Sequence, residues 1–227
     1  MSNFKGFSPE GLDLLIENRL MNSKDFYEEH KKDVREKAIN PFHALCMDMT
    51  EDMLKIDPLF VTNPTRMVSR VRRDTRYTKD KTLYRANLWL YFRRPKDRFD
   101  SVPFYYMEVT PEYWSYGCFG GFGKGEMEIA REMILNEDAN FLNAYKSAKS
   151  SDVFSLDGEM YKREHFPSAK DEYKPWLNRK YLGLAFYEHE DYSPLWDGSF
   201  VKPMLDNFKK IAPFYDFLIA IRERAKG

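Results

Sequence analysis

The 227-residue sequence predicts an α+β fold, an antiparallel β-meander covered by N-terminal and C-terminal helices. Three observations favour this class. Apolar side chains recur at helical spacing in residues 8–56, strand-like runs fill a β-rich core at residues 66–120, and residues 126–227 mix helices and strands. No repeat, low-complexity segment or linker interrupts the chain, so we expect a single domain over residues 1–227.

The first third of the chain carries the start and stop signals of three helices. Ser8–Glu10 combines a capping hydroxyl, a proline for the first helical position and an acid for the first turn. Asn22–Ser23 breaks the apolar pattern and starts a second helix, and Asn40–Pro41 ends that helix and starts a third. Asp57–Pro58 then closes the helical region.

The middle of the chain is rich in β-branched and aromatic residues with turn-like connections. Because the connections between its last three segments are short, these segments are expected to pair as an antiparallel meander. The predicted strands are Met67–Arg73, Ala86–Arg93, Pro103–Thr110 and Tyr113–Phe119.

The last third is predicted to alternate between helices and strands. Helices begin near Glu126 and at Ser199, and the second is broken at Ala212–Pro213. Asp157–Gly158 suits a two-residue hairpin turn, and Tyr181–Tyr187 has the composition of a last strand.

Composition narrows the possible functions. The 36 basic residues equal the 36 acidic residues, and a chain without a basic excess is an unlikely partner for nucleic acid. Two cysteines support neither a disulfide framework nor a paired-cysteine zinc site, so we predict no metal, no cofactor and a reducing, cytoplasmic location. No run of about 18 apolar residues is present, so no membrane partner is expected. The sequence carries no signal for an oligomeric state.

The most unusual stretch runs from Arg70 to Tyr84, where six cations surround two carboxylates. Arginine forks bind planar oxyanions through two hydrogen bonds at once, and lysines add point charges. We therefore predict that this stretch binds a small anionic, phosphorylated ligand, with Tyr84 as a hydroxyl donor at the rim. Asp74 and Asp80 would orient the cations or act as catalytic acid–base groups, and whether the protein is an enzyme stays open. The candidate ligand-binding residues are Arg70, Arg73, Arg76, Lys79, Lys81 and Tyr84.

Two other interpretations of the same stretch remain. In one, Asp74 and Asp80 bind the arginines in a salt-bridge network that pins a long loop, because dense charge also arises from purely structural ion pairs. In the other, the stretch docks an acidic partner or nucleic acid. Both describe a non-catalytic domain. Four carboxylates cluster in sequence around two strand ends and follow no metal-ligand spacing, so we interpret them as solvated charges. They are Glu108, Glu112, Glu126 and Glu128.

The residues from Arg70 to Arg85 resemble the central motif of the domain of unknown function 2461 family, which consists of bacterial and fungal conserved hypothetical proteins. Phe4–Phe7 and the aromatic pair Phe26–Tyr27 are also similar to that family. Leu83 stands where the family has proline and Arg85 where it has lysine, which changes loop rigidity more than charge. The resemblance implies a shared fold and an important central motif, and it implies no particular reaction.

Overall fold

The computed structural model describes residues 3–95, 102–120 and 122–226, and its N-terminal part is helical as predicted. The helices there are α1 (Pro9–Met21), α2 (Lys24–Asp33), α3 (Asn40–Ile56) and the short α4 (Pro64–Met67). The Ser8 side chain accepts a hydrogen bond from the Gly11 backbone N–H at 3.1 Å, which is the expected cap of α1.

The chain stays helical through the predicted boundary at Asn40–Pro41. Residues Val34–Ile39 form a π-helical segment that joins α2 to α3, and the Asn40 N–H donates to the Arg35 carbonyl, five residues earlier. Pro41 lies in the first turn of α3, where a missing N–H costs no intrahelical hydrogen bond. The π-helical segment therefore lets the helical structure continue past Pro41, although the sequence pattern predicts that a helix stops there.

The described residues contain a five-stranded antiparallel sheet with the order β1-β2-β3-β5-β4, which confirms the α+β class and the central meander. The strands are β1 (Leu88–Arg93), β2 (Phe104–Val109), β3 (Trp114–Gly120), β4 (Ser155–Asp157) and β5 (Leu182–Glu188). The remaining helices are α5 (Lys124–Leu135), α6 (Ala139–Lys149), α7 (Lys174–Leu177), α8 (Ser193–Asp197), α9 (Val201–Lys210) and α10 (Ala212–Lys226).

Two predicted β-elements are wrong. Met67–Arg73 is not a continuous strand, because the capped turn of α4 takes up its start and only isolated bridges follow, Val68 with Leu90 and Arg72 with Tyr84. Asp157–Gly158 does not turn a hairpin, because β4 pairs with β5. Gly158 has φ +132°, and a Cβ at this position would lie 2.1 Å from the Tyr181 carbonyl oxygen, so the glycine permits close backbone approach instead.

The described chain divides into two compact units, and four of the five boundaries fall inside strands while the fifth falls inside α9. The first contains the chain up to Phe92 together with Met107–Ser115 and Tyr187–Leu205. Its core includes a small apolar cavity of about 20 Å³, lined by Phe42 from α3 and Val109 from β2, among others. A single domain over the whole chain stays a prediction.

The second unit contains Arg93–Tyr106, Tyr116–Phe186 and the chain from Asp206. Its core is aromatic, as the composition of the chain suggests. The Tyr105 ring on β2 lies 4.8 Å from the Phe208 ring and 5.2 Å from the Tyr215 ring, measured between centroids. These contacts place α9 and α10 against the strand residues of this unit.

Both cysteines are free and buried, Cys46 in α3 and Cys118 in β3. Burial raises the pKa of the Cys46 thiol to about 12, and burial also raises that of Cys118. Thiols in this state are poor nucleophiles and metal ligands. Among the helices that the structure describes, none has the length and apolar character needed to cross a membrane.

Candidate functional site

The Arg70–Tyr84 stretch folds back on itself within the first unit. Backbone hydrogen bonds join Arg73 N to Leu83 O at 2.8 Å and Arg85 N to Val71 O at 2.9 Å, on either side of the Arg72–Tyr84 bridge. The residues between these bonds form a loop whose tip carries most of the predicted site. The polar tip keeps the loop in solvent, while Val71 and Tyr84 are buried at its base.

Asp80 is the centre of the inner half of this loop. Its carboxylate accepts hydrogen bonds from the Thr82 N–H at 2.9 Å and the Thr82 hydroxyl at 2.8 Å, and forms ion pairs with Arg73 and, at 3.3 Å, with Arg19 of α1. The Thr82 N–H, followed by its hydroxyl and Arg73, holds the pKa of Asp80 well below its ordinary value. Asp80 is therefore ionised at neutral pH and neutralises part of the charge of both guanidiniums.

Asp74 neutralises a guanidinium at the exposed tip of the loop, as Asp80 does in the inner half. It forms a bidentate ion pair with Arg76, whose Nε lies 3.0 Å from Oδ1 and whose Nη2 lies 2.7 Å from Oδ2. The hydrogen bond from the Arg76 side chain lowers the pKa of Asp74 to about 2. A carboxylate with a lowered pKa accepts a proton poorly at neutral pH, so neither Asp74 nor Asp80 is well tuned as a general base.

The structure does not gather the other predicted residues into one site. Lys81 donates to the Thr75 carbonyl at 2.8 Å, and Arg70 and Lys79 are exposed and form no ion pair with any described residue. Tyr84 is only 2% exposed, and its ring stacks on Tyr27 with the centroids 5.0 Å apart. This position differs from the expected rim, because the apolar ring is more favourably packed than exposed.

A cleft of about 330 Å³ lies beside the inner half of the loop. Its lining residues are Arg19, Arg73, Asp80, Arg85, Ala86, Asn87, Thr110, Pro111, Glu112 and Tyr113. Among these described residues are three guanidiniums and two carboxylates, and a third carboxylate, Glu108, is hydrogen-bonded to the lining residues Asn87 and Tyr113. The volume is within the range of small-ligand sites.

Arg85 is the cation of this cleft that lacks a hydrogen-bond partner. Its guanidinium lies over the Trp89 ring, 4.6 Å from the centroid, and its side chain donates no hydrogen bond to any described residue. Its Nε is buried and unpaired. Burial, followed by the positive charge of Arg73, lowers the pKa of Arg85, whereas Glu108 opposes that shift.

The strand residues of the cleft form a second polar group. The Asn87 amide nitrogen donates to Glu108 Oε1 at 2.6 Å, and the Tyr113 hydroxyl donates to Glu108 Oε2 at 3.4 Å. Burial and then Glu108 raise the pKa of Tyr113 to about 12, so this phenol keeps its proton. The Thr110 hydroxyl oxygen accepts from the Tyr113 N–H at 2.9 Å and fixes the turn between β2 and β3.

No group of three or more His, Cys, Asp or Glu side chains that could hold a metal ion occurs in the part of the chain that the structure describes. The cleft combines guanidinium, amide and carboxylate groups, and Arg85 is its cation whose side chain no described residue uses as a donor. Its chemistry therefore favours an anion over a cation.

Residues 10–217 match a protein family described as conserved hypothetical protein, DUF2461. The chain belongs to the DUF2461 family. The resemblance based on the Arg70–Arg85 motif is thereby confirmed. A search of curated proteins finds no match.

Sequence reasoning missed part of the cleft of this DUF2461 protein. Arg19 has the sequence pattern of an ordinary basic residue in the last turn of α1. Arg85 stands at the end of the motif, where it replaces the lysine of the family by another cation. Asn87 gives no signal at all before the chain is folded. Arg85 alone had a usable signal, since it directly follows the cation-rich stretch and precedes a strand that begins at Leu88.

Proposed function

We propose that this DUF2461 protein binds a small anionic, phosphorylated ligand in the cleft beside Asp80. The observation that supports this is the Arg85 guanidinium, which lines the cleft with unused N–H donors. A buried polar group without a partner costs free energy, and an arginine beside a second arginine costs more. An oxyanion would relieve both costs at once.

Arg73 and Arg85 are the proposed ligand-binding pair. Asp80 and Thr82 hold Arg73 through Nη1, which leaves its other donors available. Two arginine forks suit the three oxygens of a phosphate group, which accept several charge-assisted hydrogen bonds. Asp80 is thus a positioning group in this proposal.

The outer cations of the predicted site have a weaker, long-range role. Arg70, Arg76, Lys79 and Lys81 are exposed and do not line the cleft. Exposed cations near a cleft attract anions before contact and raise the association rate, and salt screens this effect. The proposal therefore retains the predicted cations, leaves out the buried Tyr84, and moves the centre of binding to Arg73 and Arg85.

A non-catalytic interaction domain is the second candidate. It is supported by the loop tip, where Tyr77 is 89% exposed and Lys79 makes no ion pair with any described residue. Arg70, which precedes the loop, is also exposed and makes no such pair. An acidic protein partner, or with less support a nucleic acid, would meet this surface. In that case the Asp80 pairs would serve only to hold the loop in place.

We also propose a cytoplasmic location, because two free, buried thiols and no disulfide among the described residues are typical of a reducing compartment. No cofactor enters the proposal. Binding requires none of the described residues to act as an acid or base, so the proposal is one of binding, with catalysis as a separate question.

The proposal is tested by thermal shift and calorimetry with inorganic phosphate and simple phosphate esters at constant ionic strength. A ligand at about 100 times its dissociation constant should raise the melting temperature by roughly 5–10 °C. Arg85→Met keeps the contact with Trp89 but removes the N–H donors, and should abolish the shift.

Arg76→Met is the matched control, since Arg76 pairs with Asp74 outside the cleft. It should retain at least half of the shift. If wild-type protein shows no shift with any of these anions, or if Arg85→Met binds them as wild type does, the proposed function is wrong.

A further inference from the structure

The cleft of the DUF2461 protein carries hydrogen-bond acceptors as well as cations. Asn87 uses its amide nitrogen to donate to Glu108, while its amide oxygen accepts no hydrogen bond from any described residue. Glu112 is exposed, and its carboxylate also has no partner among those residues. Both side chains line the same cleft as Arg73 and Arg85.

This Asn87 orientation is fixed by its neighbours. Glu108 is an acceptor on both oxygens, with Asn87 on one and Tyr113 on the other. An ionised carboxylate has no proton to donate, so Asn87 must present its nitrogen to Glu108 and keep its oxygen for another donor. The cleft thus contains an oriented acceptor that no described residue uses and that is open to a donor from solvent or from a ligand.

An anion that carries no hydroxyl group beside its charged end, such as an alkyl phosphate, would satisfy only half of this site. Its oxygens would bind the guanidiniums, but they would meet an unpaired amide oxygen and the negative charge of Glu112. An anion with hydroxyl groups next to its charged end would satisfy both halves, since each hydroxyl donates a hydrogen bond to an acceptor. A site with unpaired polar groups discriminates strongly against ligands that leave them unpaired.

We propose that the ligand is a phosphate monoester of a small polyol, with its phosphate on Arg73 and Arg85 and its hydroxyls on Asn87 and Glu112. This inference rests on the proposed anion-binding function and specifies its ligand class. The cleft, at about 330 Å³, has room for such a molecule.

The test is calorimetric titration of wild-type protein with three probes, namely inorganic phosphate, ethyl phosphate and glycerol 3-phosphate. Glycerol 3-phosphate should bind at least about five-fold more tightly than ethyl phosphate, which has the same charge and no free hydroxyl. Asn87→Ala and Glu112→Gln should each reduce this preference, measured as the ratio of the two dissociation constants in the same variant, to less than about two-fold. Because Glu112→Gln removes a negative charge from the cleft, it should tighten the binding of both esters.

Asn143→Ala, an exposed asparagine change on α6, is the matched control and should keep the full preference. Glu112→Gln also guards against a folding defect in the Asn87 variant, because Glu112 is exposed. If all three probes bind equally, or if the preference survives both substitutions, the polyol inference is overturned and the anion site stands. If no probe binds, the anion site fails and the inference fails with it.

Discussion

Arg131 is buried and Arg85 is half-buried, and both lie over aromatic rings, but their hydrogen bonding differs completely. Arg131, in the second unit, donates from Nε to the Leu177 carbonyl at 3.1 Å, from Nη1 to Glu128 at 2.9 Å and from Nη2 to the Arg179 carbonyl at 2.9 Å. Arg85, in the first unit, donates to no described residue through its side chain.

The two environments suggest two different roles for a buried cation. Arg131 uses all three of its nitrogens on groups of the protein, and its guanidinium lies 5.4 Å from the Tyr161 ring centroid. A cation that is satisfied in this way holds backbone segments together. A cation that keeps its donors unused, and lines a cleft, is available to a ligand. Burial alone does not distinguish a structural arginine from a ligand-binding one, whereas the number of guanidinium N–H donors that the protein already uses does.

Replacing Arg131 should produce the largest effect. Arg131→Ala leaves the carbonyls of Leu177 and Arg179 without their donors inside the protein, so we expect a loss of about 2–4 kcal/mol in the free energy of unfolding. Urea denaturation at neutral pH measures this change. Arg224→Ala, which breaks a half-exposed pair with Asp138 on the same unit, should cost less than about 1 kcal/mol.

Arg131 would lose its assigned role if Arg131→Ala and Arg224→Ala had the same small effect. In that case its hydrogen bonds would not be what holds the segment around α7, and the contrast with Arg85 would disappear.

The next effect concerns Asp80 and depends on pH. The pKa of Asp80 is lower in the folded protein than in the unfolded chain, so its contribution to stability is present above about pH 4 and is lost as the pH falls through the folded pKa. Asp80→Asn should therefore lower the melting temperature at neutral pH. The gap between the variant and the wild type should narrow steadily from about pH 4 to pH 2.

Asp74→Asn serves as the comparison for Asp80, because Asp74 has a lowered pKa but pairs with an Arg76 side chain that is 73% exposed. Solvent screens such a pair, so its melting temperature should change less than that of Asp80→Asn at every pH. Equal effects of the two substitutions would mean that the inner and outer halves of the loop do not differ energetically.

Much of the fold could be predicted from local signals. The cap at Ser8, the turn at Asn22 and the break near Ala212 each act within a few residues, and the helix boundaries at these three places lie close to the predicted ones. The errors arose where pairing is non-local. Residues 67–73 were expected to be a strand, and Asp157–Gly158 a hairpin, because the alternation pattern contains no information about which partner is nearest.

The candidate site shows the same limit. The cation-rich stretch was visible in the sequence, and Asp80 indeed pairs with Arg73 seven residues away. The Arg19 partner lies 61 residues before Asp80, and Asn87 meets Glu108 across 21 residues. Only the fold brings these side chains together, so charge density located the region while the cleft itself could not be foreseen.

The smallest and most informative effect is expected at Arg85. Arg85→Met removes an unpaired, partly buried charge next to Arg73 and keeps an apolar side chain on Trp89, so the ligand-free protein should lose less than about 1 kcal/mol of stability or gain slightly. Urea denaturation of wild type and variant, at low and at moderate salt, measures this difference. Because the charge repels Arg73, any gain should be larger at low salt. A loss as large as that of Arg131→Ala would mean that Arg85 is a structural cation like Arg131, and the cleft would then have no free donor to offer an anion.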